Sequence, residues 1–265
     1  MHKRIWLPGA FALAMAVAPV AAGADGQLAS MQLQLAAAAW QEMAPGVERL
    51  AVAEPVAGGF AAFRLAQDKI AARVLAPLKP SGSTAEEILA ASKAFLVVNG
   101  GFFYARSNGA LAPTGLLIAD GAQLAGLKAC RACTGVVYTD AKGLHIVRPA
   151  RFSGKVKAGS ALQVGPMLID VGRVQNFKAD GPQAPRTGLC LAGEAIIVAV
   201  TIRAMTLHDF AALLAAGRAE GGFDCQQAIN FDGGSSSQLA SHLAGAEDRL
   251  GFSEPVQNFL AFFPK

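Results

Sequence analysis

This sequence predicts an α+β fold: a single domain with a mixed, largely antiparallel β-sheet core and a few flanking helices. Three observations carry that prediction. Of the 265 residues, 53% are hydrophobic and 16% charged, enough apolar mass for a sizeable core and far from the composition of a disordered or fibrous chain. Beyond residue 46, short runs rich in Val, Ile, Leu and Phe follow one another, punctuated by Gly, Pro, Asn and Asp. Only two stretches among them carry the apolar spacing of a helix, and no linker, charge block or low-complexity tract divides the chain. Many strands with few intervening helices give a sheet-dominated domain rather than regular βαβ units.

Residues 1–24 read as an export signal. Met1-His2-Lys3-Arg4 is a short basic region and residues 5–20 are apolar. Ala22-Gly23-Ala24 then offers small residues for cleavage after Ala24, with Val20-Ala21-Ala22 as the alternative. An uncleaved anchor is the competing reading, but Pro8, Gly9 and Pro19 interrupt what would have to be a spanning helix of about 20 residues. No Cys follows that would carry a lipid. The expected location is therefore periplasmic or secreted, with no stable membrane span after cleavage. Without Lys3 and Arg4 the formal charge drops from +4 to +2, 21 basic against 19 acidic residues. Aromatics make up 7% and none interleave with Lys or Arg, so neither a phosphate-tracking stripe nor a base-stacking platform is present and no nucleic acid partner is expected. Nothing in the sequence sets an oligomeric state.

Residues 25–46 are rich in Ala, Gln and Leu and are predicted helical up to Pro45-Gly46. Residues 47–265 form the domain proper. Strands are expected at 60–65, 71–75, 95–98, 115–118, 135–138, 144–147, 167–169, 188–191, 195–202, 228–231 and 257–263. One helix is expected over 85–93, behind Ser83-Thr84 and with Glu86 and Glu87 at the positive end of its dipole. Another is expected over 206–216, where Thr206 caps, Leu207, Phe210, Leu213 and Leu214 form one apolar stripe, and Gly217 ends it. His208 and Asp209 adjoin there, and the capping pattern accounts for Asp209 without a catalytic role.

Export makes the four cysteines disulfide candidates, with three complete pairings open. Cys130-Arg131-Ala132-Cys133 has the spacing of a redox dithiol or half a zinc site. Zinc wants a second such pair, whereas Cys190 and Cys225 stand alone, and a redox motif opens a helix, whereas residues 134–138 look extended. Structural bridges, Cys130 with Cys133 and Cys190 with Cys225, are the expectation.

Two strand ends echo each other. Phe95-Leu96-Val97-Val98-Asn99-Gly100-Gly101 and Ala228-Ile229-Asn230-Phe231-Asp232-Gly233-Gly234 are apolar runs that finish on a polar residue and two glycines. A buried strand holds such a side chain rigidly, and the glycines let a substrate approach the backbone and its N–H groups. Asp-Gly alone is a common hairpin signal. Here Ser235, Ser236 and Ser237 follow, setting three hydroxyls beside one carboxylate, a cup suited to an oxyanion or a sugar. No Gly-x-Ser-x-Gly elbow or Walker lysine is present, so the serines read as neither hydrolase nucleophile nor nucleotide loop. Phe102, Phe103 and Tyr104 offer aromatic walls for sugar rings. Pro185-Arg186-Thr187-Gly188 supplies the guanidinium best placed to clamp a phosphate or carboxylate. His145, His208 and His242 fit no zinc spacing and no EF-hand pattern occurs, so no bound transition metal and no cofactor is expected, with a calcium ion on carboxylates and carbonyls left as the open alternative.

At this point the residues carry a resemblance. Asn99-Gly-Gly-Phe-Phe, the Pro113-to-Gly121 segment, Val164-Gly165-Pro166-Met-Leu-Ile169, Pro185-Arg186-Thr187-Gly188, Met205-Thr-Leu-His-Asp-Phe-Ala-Ala-Leu-Leu214 and Asn230-Phe-Asp232-Gly-Gly-Ser-Ser-Ser237 stand in the order seen in the phosphodiester glycosidase family. The similarity spans roughly residues 47–264. It implies an exported or lumenal α+β hydrolase acting on a sugar joined through its anomeric carbon to a phosphodiester. Residue by residue it implies catalytic roles for Asp232, Arg186 and Asn99, with substrate contacts at Gly100, Gly101, Thr187, Gly233, Gly234, Ser235 and Ser236. Phe231 departs from the Leu common in the family, and Ser235 from a Gly.

The chemistry fits. Cleavage develops oxocarbenium-like charge that a carboxylate stabilises, and a phosphate monoester leaves without a strong general acid, so Asp232 and Arg186 make a workable pair. Asp120, Asp170 and Glu194 are the candidates for a second carboxylate. The expected substrate is a sugar-phosphate or glycan of the envelope or exopolysaccharide. The alternative from a different class is a non-catalytic periplasmic binding or envelope-assembly module for phosphorylated glycans, and a third is a thiol-disulfide protein using Cys130 and Cys133.

Overall fold

Burial along the longest strands fixes the layers of the molecule. In Ala195–Met205, Ile196, Val198 and Val200 face a cluster with Phe63, Leu65 and Leu189, while Ile197 and Ala199 face another with Phe210, Leu213 and Leu214. Both faces are covered, which is why the sequence there is continuously apolar rather than alternating. The computed structural model describes residues 24–53, 57–152 and 156–265. The export signal expected over 1–24 lies outside the described residues except for Ala24.

Three sheets surround the main core. The eight-stranded sheet runs in the order Ala39–Ala44, Val47–Ala51, Phe60–Ala66, Ala195–Met205, Ala184–Ala192, Gln227–Asn230, Met167–Asp170, Arg173–Val174. A C-terminal sheet runs Ala246–Gly251, Gln238–Leu243, Leu96–Asn99, Phe259–Pro264, Ile70–Leu75, and a middle sheet runs Gly143–Val147, Gly135–Asp140, Ser160–Val164, Leu117–Ala119, Ala122–Ala125. The pairings among the described strands are antiparallel. Phe63, Val98, Val137, Leu162, Ile229, Phe231 and Phe262 meet in the core between the sheets. At about 1.5–3 kcal/mol for each such side chain taken from water, this cluster is the main driving force for folding.

Helices cover the outer faces. Helix α1 (Ala24–Ala36) brings Met31 and Leu35 onto the same cluster as α3 (Leu207–Ala215), against the eight-stranded sheet. Helix α2 (Ala85–Ala91) packs Ile88 on Val97 and Phe259 of the C-terminal sheet. Thr84 and Glu87 form the capping box that starts it, with bonds of 3.2 and 3.0 Å, and Thr206 caps α3 through Asp209 N–H at 3.0 Å. Among the described residues no helix is long and apolar enough to cross a membrane.

One expectation is corrected. The N-terminal helix stops at Ala36 instead of reaching residue 46, and Ala39–Ala44 pairs with Val47–Ala51. Pro45-Gly46, read as a helix stop, is a hairpin turn with Gly46 at φ 79°, and Trp40 is held by the Phe223 ring 6.2 Å away and the Arg64 guanidinium over its face. Tertiary contacts of one aromatic outweigh local Ala/Gln helix preference. Both expected disulfides are present, Cys130–Cys133 and Cys190–Cys225.

Candidate active site

The ladder between Ala184–Ala192 and Gln227–Asn230 sets Gly188 opposite Asn230 and Leu189 opposite Ile229. Just beyond it, Phe231 N–H donates to Thr187 O at 2.8 Å. Arg186 and Asp232 are the residues next beyond this bond on the two segments. Side chains alternate across a strand, so Thr187 faces the core as Leu189 does, and Arg186 lies on the α3 side with Gly188 and Cys190. Gly188 has no room for a side chain there: a Cβ would lie 2.7 Å from the Phe210 ring.

Asn99, the last residue of a strand in the C-terminal sheet, closes the seam between the two sheets. Its Oδ1 accepts from Thr187 Oγ1 at 2.7 Å and from Gln238 N–H at 3.1 Å, and its Nδ2 donates to the Asp232 carbonyl at 2.7 Å. Asp232 N–H in turn donates to Gly100 O at 3.0 Å. The two strand ends that echo each other in sequence are thus hydrogen-bonded together in space. Asn99 is 1% exposed, its carboxamide occupied by these internal bonds.

Arg186 is 8% exposed. Nε donates to Met205 O at 3.0 Å and Nη2 to Pro182 O at 2.8 Å, which fixes the guanidinium plane. Burial pulls its pKa down from the usual arginine value, and among the described residues no carboxylate pairs with it. Asp232 is half-buried, and that burial pushes its pKa up, partly countered by hydrogen bonds from the Ser236 side chain and from Gly233 N–H, the latter at 3.0 Å. Gly233 joins the two groups. A Cβ on it would lie 2.9 Å from Pro185 O and 3.7 Å from Arg186 Nη1. Gly234 adopts φ 63° at the start of the Gly234–Ser236 turn, which leaves Ser235 exposed and Ser236 buried beside Asp232.

The three candidates for a second carboxylate go elsewhere. Asp170 pairs with Arg148 at 2.8 Å. Glu194 is exposed in the turn at the far end of the strand pair that carries Arg186, and Asp120 lines a separate groove of ≈ 450 Å³ with Arg73, Asp140 and Lys265. Among the described residues, no three His, Cys, Asp or Glu side chains group so as to hold a metal ion. Sequence reasoning missed two buried amides that shape the site. Asn258 bonds the Gly100-Gly101 backbone, and Gln238, besides meeting Asn99, donates from Nε2 to Glu254 O at 2.9 Å. Adjacent amides, Gln257-Asn258, at the head of an apolar run were the available signal for the first.

A sequence model of the phosphodiester glycosidase family matches residues 92–263, and the chain belongs to that family. No curated protein matches. Among solved structures it is similar to the zebrafish N-acetylglucosamine-1-phosphodiester alpha-N-acetylglucosaminidase catalytic domain auto-inhibited by its pro-peptide, at 15% identity and TM-score 0.59 over 85% of this chain and 86% of that one. A hypothetical protein from Synechocystis is similar at 17% identity and TM-score 0.54, over 86% of this chain and 64% of that one. A protein from Burkholderia pseudomallei is similar at 13% identity and TM-score 0.56, over 82% and 74%. At these identities the likeness is one of fold.

Proposed function

We propose that this protein is an exported hydrolase that cleaves the anomeric bond of sugar-1-phosphodiesters in envelope glycans or exopolysaccharide. The observation that carries the reading is Arg186: a buried guanidinium, its plane fixed by two carbonyls, with no carboxylate paired to it among the described residues and with Gly233, the neighbour of Asp232, beside its Nη1. A buried cation without a counter-charge is costly, and a bound phosphodiester supplies the missing charge. In the reaction the bond from the anomeric carbon to the phosphate oxygen breaks, the phosphate monoester departs with the bonding electron pair and its charge is balanced by Arg186, and water adds its hydroxyl to the anomeric carbon while its other proton passes to the phosphate or to solvent. Asp232 is the carboxylate facing the developing positive charge, Asn99, braced by Thr187, holds it through its backbone carbonyl, and Gly100, Gly101, Gly233, Gly234, Ser235 and Ser236 line the cup.

The test is turnover of a panel of sugar-1-phosphodiesters, nucleotide sugars among them, by the mature chain. Wild type should release free sugar and phosphomonoester, and equal rates for Asp232→Asn across the panel would remove Asp232 from the chemistry. One observation favours a second reading: none of Asp120, Asp170 and Glu194 reaches Asp232. A binding module for phosphorylated glycans needs no second carboxylate, and calorimetric binding without product over hours would select it.

A further inference from the structure

We infer that Asn258 is a positioning residue for Asp232, acting through the Gly100-Gly101 peptide; its bearing on turnover rests on the reading of Asp232 given above. Asn258 is 1% exposed and immediately precedes the Phe259–Pro264 strand, whose Phe259 stands opposite Asn99. Its carbonyl accepts from Gly100 N–H at 2.8 Å, which extends the ladder by one bond. Its side chain then reaches past the end of the ladder. Oδ1 accepts from Gly101 N–H at 2.6 Å, and Nδ2 donates to Gly101 O at 3.4 Å and to Gln257 Oε1 at 2.8 Å.

The geometry explains why the strand ends on glycine. A Cβ on Gly100 would lie 2.0 Å from Asn258 Oδ1, so no other residue fits while the carboxamide is in place. The peptide held this way carries Gly100 O, the acceptor for Asp232 N–H at 3.0 Å. Asp232 is thereby gripped on both sides of its α-carbon, by Gly100 O on its amide and by Asn99 Nδ2 on its carbonyl. Asn258 is the side chain that fixes the first of these grips, and Gln257 orients the Asn258 amide so that its oxygen faces Gly101. Neither Asn258 nor Gln257 is among the residues assigned to the cup, so their effect on chemistry passes through the Gly100-Gly101 peptide to Asp232.

The experiment compares Asn258→Ala with Val136→Ala, a destabilising control whose cluster, with Leu116 and Ala161, contains no residue of the site. Hydrogen exchange of the 230–235 segment is measured first, because it needs no turnover. Asn258→Ala should speed exchange there about tenfold, whereas Val136→Ala leaves that segment at the wild-type rate below its melting temperature. On a hydrolysed phosphodiester, Asn258→Ala should lower kcat about 10- to 100-fold with KM nearly unchanged, since a small misplacement of a reacting group acts on the chemical step. Gln257→Met, which removes only the acceptor for Asn258 Nδ2, gives a smaller change in the same direction and serves if the alanine variant does not fold. Unchanged exchange at 230–235, or equal kcat losses in Asn258→Ala and Val136→Ala, overturns the inference. Faster exchange in a protein that turns over no phosphodiester upholds the positioning of Asp232 and overturns the proposed reaction instead.

Discussion

Replacing Asn99 by alanine tests the seam directly. The substitution deletes three hydrogen bonds, at 2.7, 2.7 and 3.1 Å. It leaves the Asp232 carbonyl, the Thr187 hydroxyl and the Gln238 N–H without partners where water does not reach. Each orphaned buried group costs about 1–3 kcal/mol, and because all three share one site the losses are not additive, so about 3–6 kcal/mol is the working figure. For a domain of this size that lowers Tm by roughly 6–24 °C. Urea unfolding followed by circular dichroism gives the free energy, with Thr187→Val as the companion: it removes a single bond and should cost about 1 kcal/mol. In the double variant the Thr187 change should add little, since Asn99→Ala has already stranded that hydroxyl. An Asn99→Ala protein within about 1 kcal/mol of wild type, with the Thr187→Val effect fully additive, would refute the claim that this amide joins the sheets.

Three further outcomes follow from the same geometry. Because burial raises the Asp232 pKa in the folded state, its stabilising contribution is full below the unfolded value and lost as pH rises through the folded one, so Asp232→Asn should melt higher than wild type at neutral pH, with the gap closing toward acid; a pH series of melting curves reads this, and wild-type turnover should rise over the same window as the carboxylate ionises. Gly233→Ala should cut activity severely, since its Cβ would meet Pro185 O at 2.9 Å and drive the Asp232 loop away from Arg186, an effect visible in kcat before stability. Removing the Cys190–Cys225 bridge, which closes a separation of 35 residues, should cost about 3–4 kcal/mol in denaturant while leaving KM close to wild type.

The apolar runs were legible because they are buried on both faces, and Ala195–Met205 and Phe259–Pro264 lie close to where alternation and turn residues place them. Ser160–Val164 and Gln238–Leu243 were not, because their buried residues include Ser160, Gln163, Gln238 and Ser241. Gln163 shows the reason. Its Oε1 accepts from Leu116 N–H at 3.1 Å and Lys128 N–H at 3.0 Å, and its Nε2 donates to Lys128 O at 2.8 Å, so a polar side chain sits in a central strand to satisfy neighbouring loops. The site was legible as glycine-flanked polar strand ends, since a polar residue closing an apolar strand has a local signature. Asn258 carries only the weak signal of paired amides ahead of an apolar run, because its task is set by Gly101, 157 positions away.

The placement of Phe259–Pro264 ties the candidate site to a distant part of the chain. That strand lies between Ile70–Leu75 and Leu96–Asn99, not at an edge of its sheet. Deleting residues 258–264 therefore opens a gap inside the sheet and takes away the carbonyl that Gly100 N–H binds. The strand that frames the seam at Asn99 thus comes from sequence more than 150 positions away, so that a lesion there is felt beside Asp232.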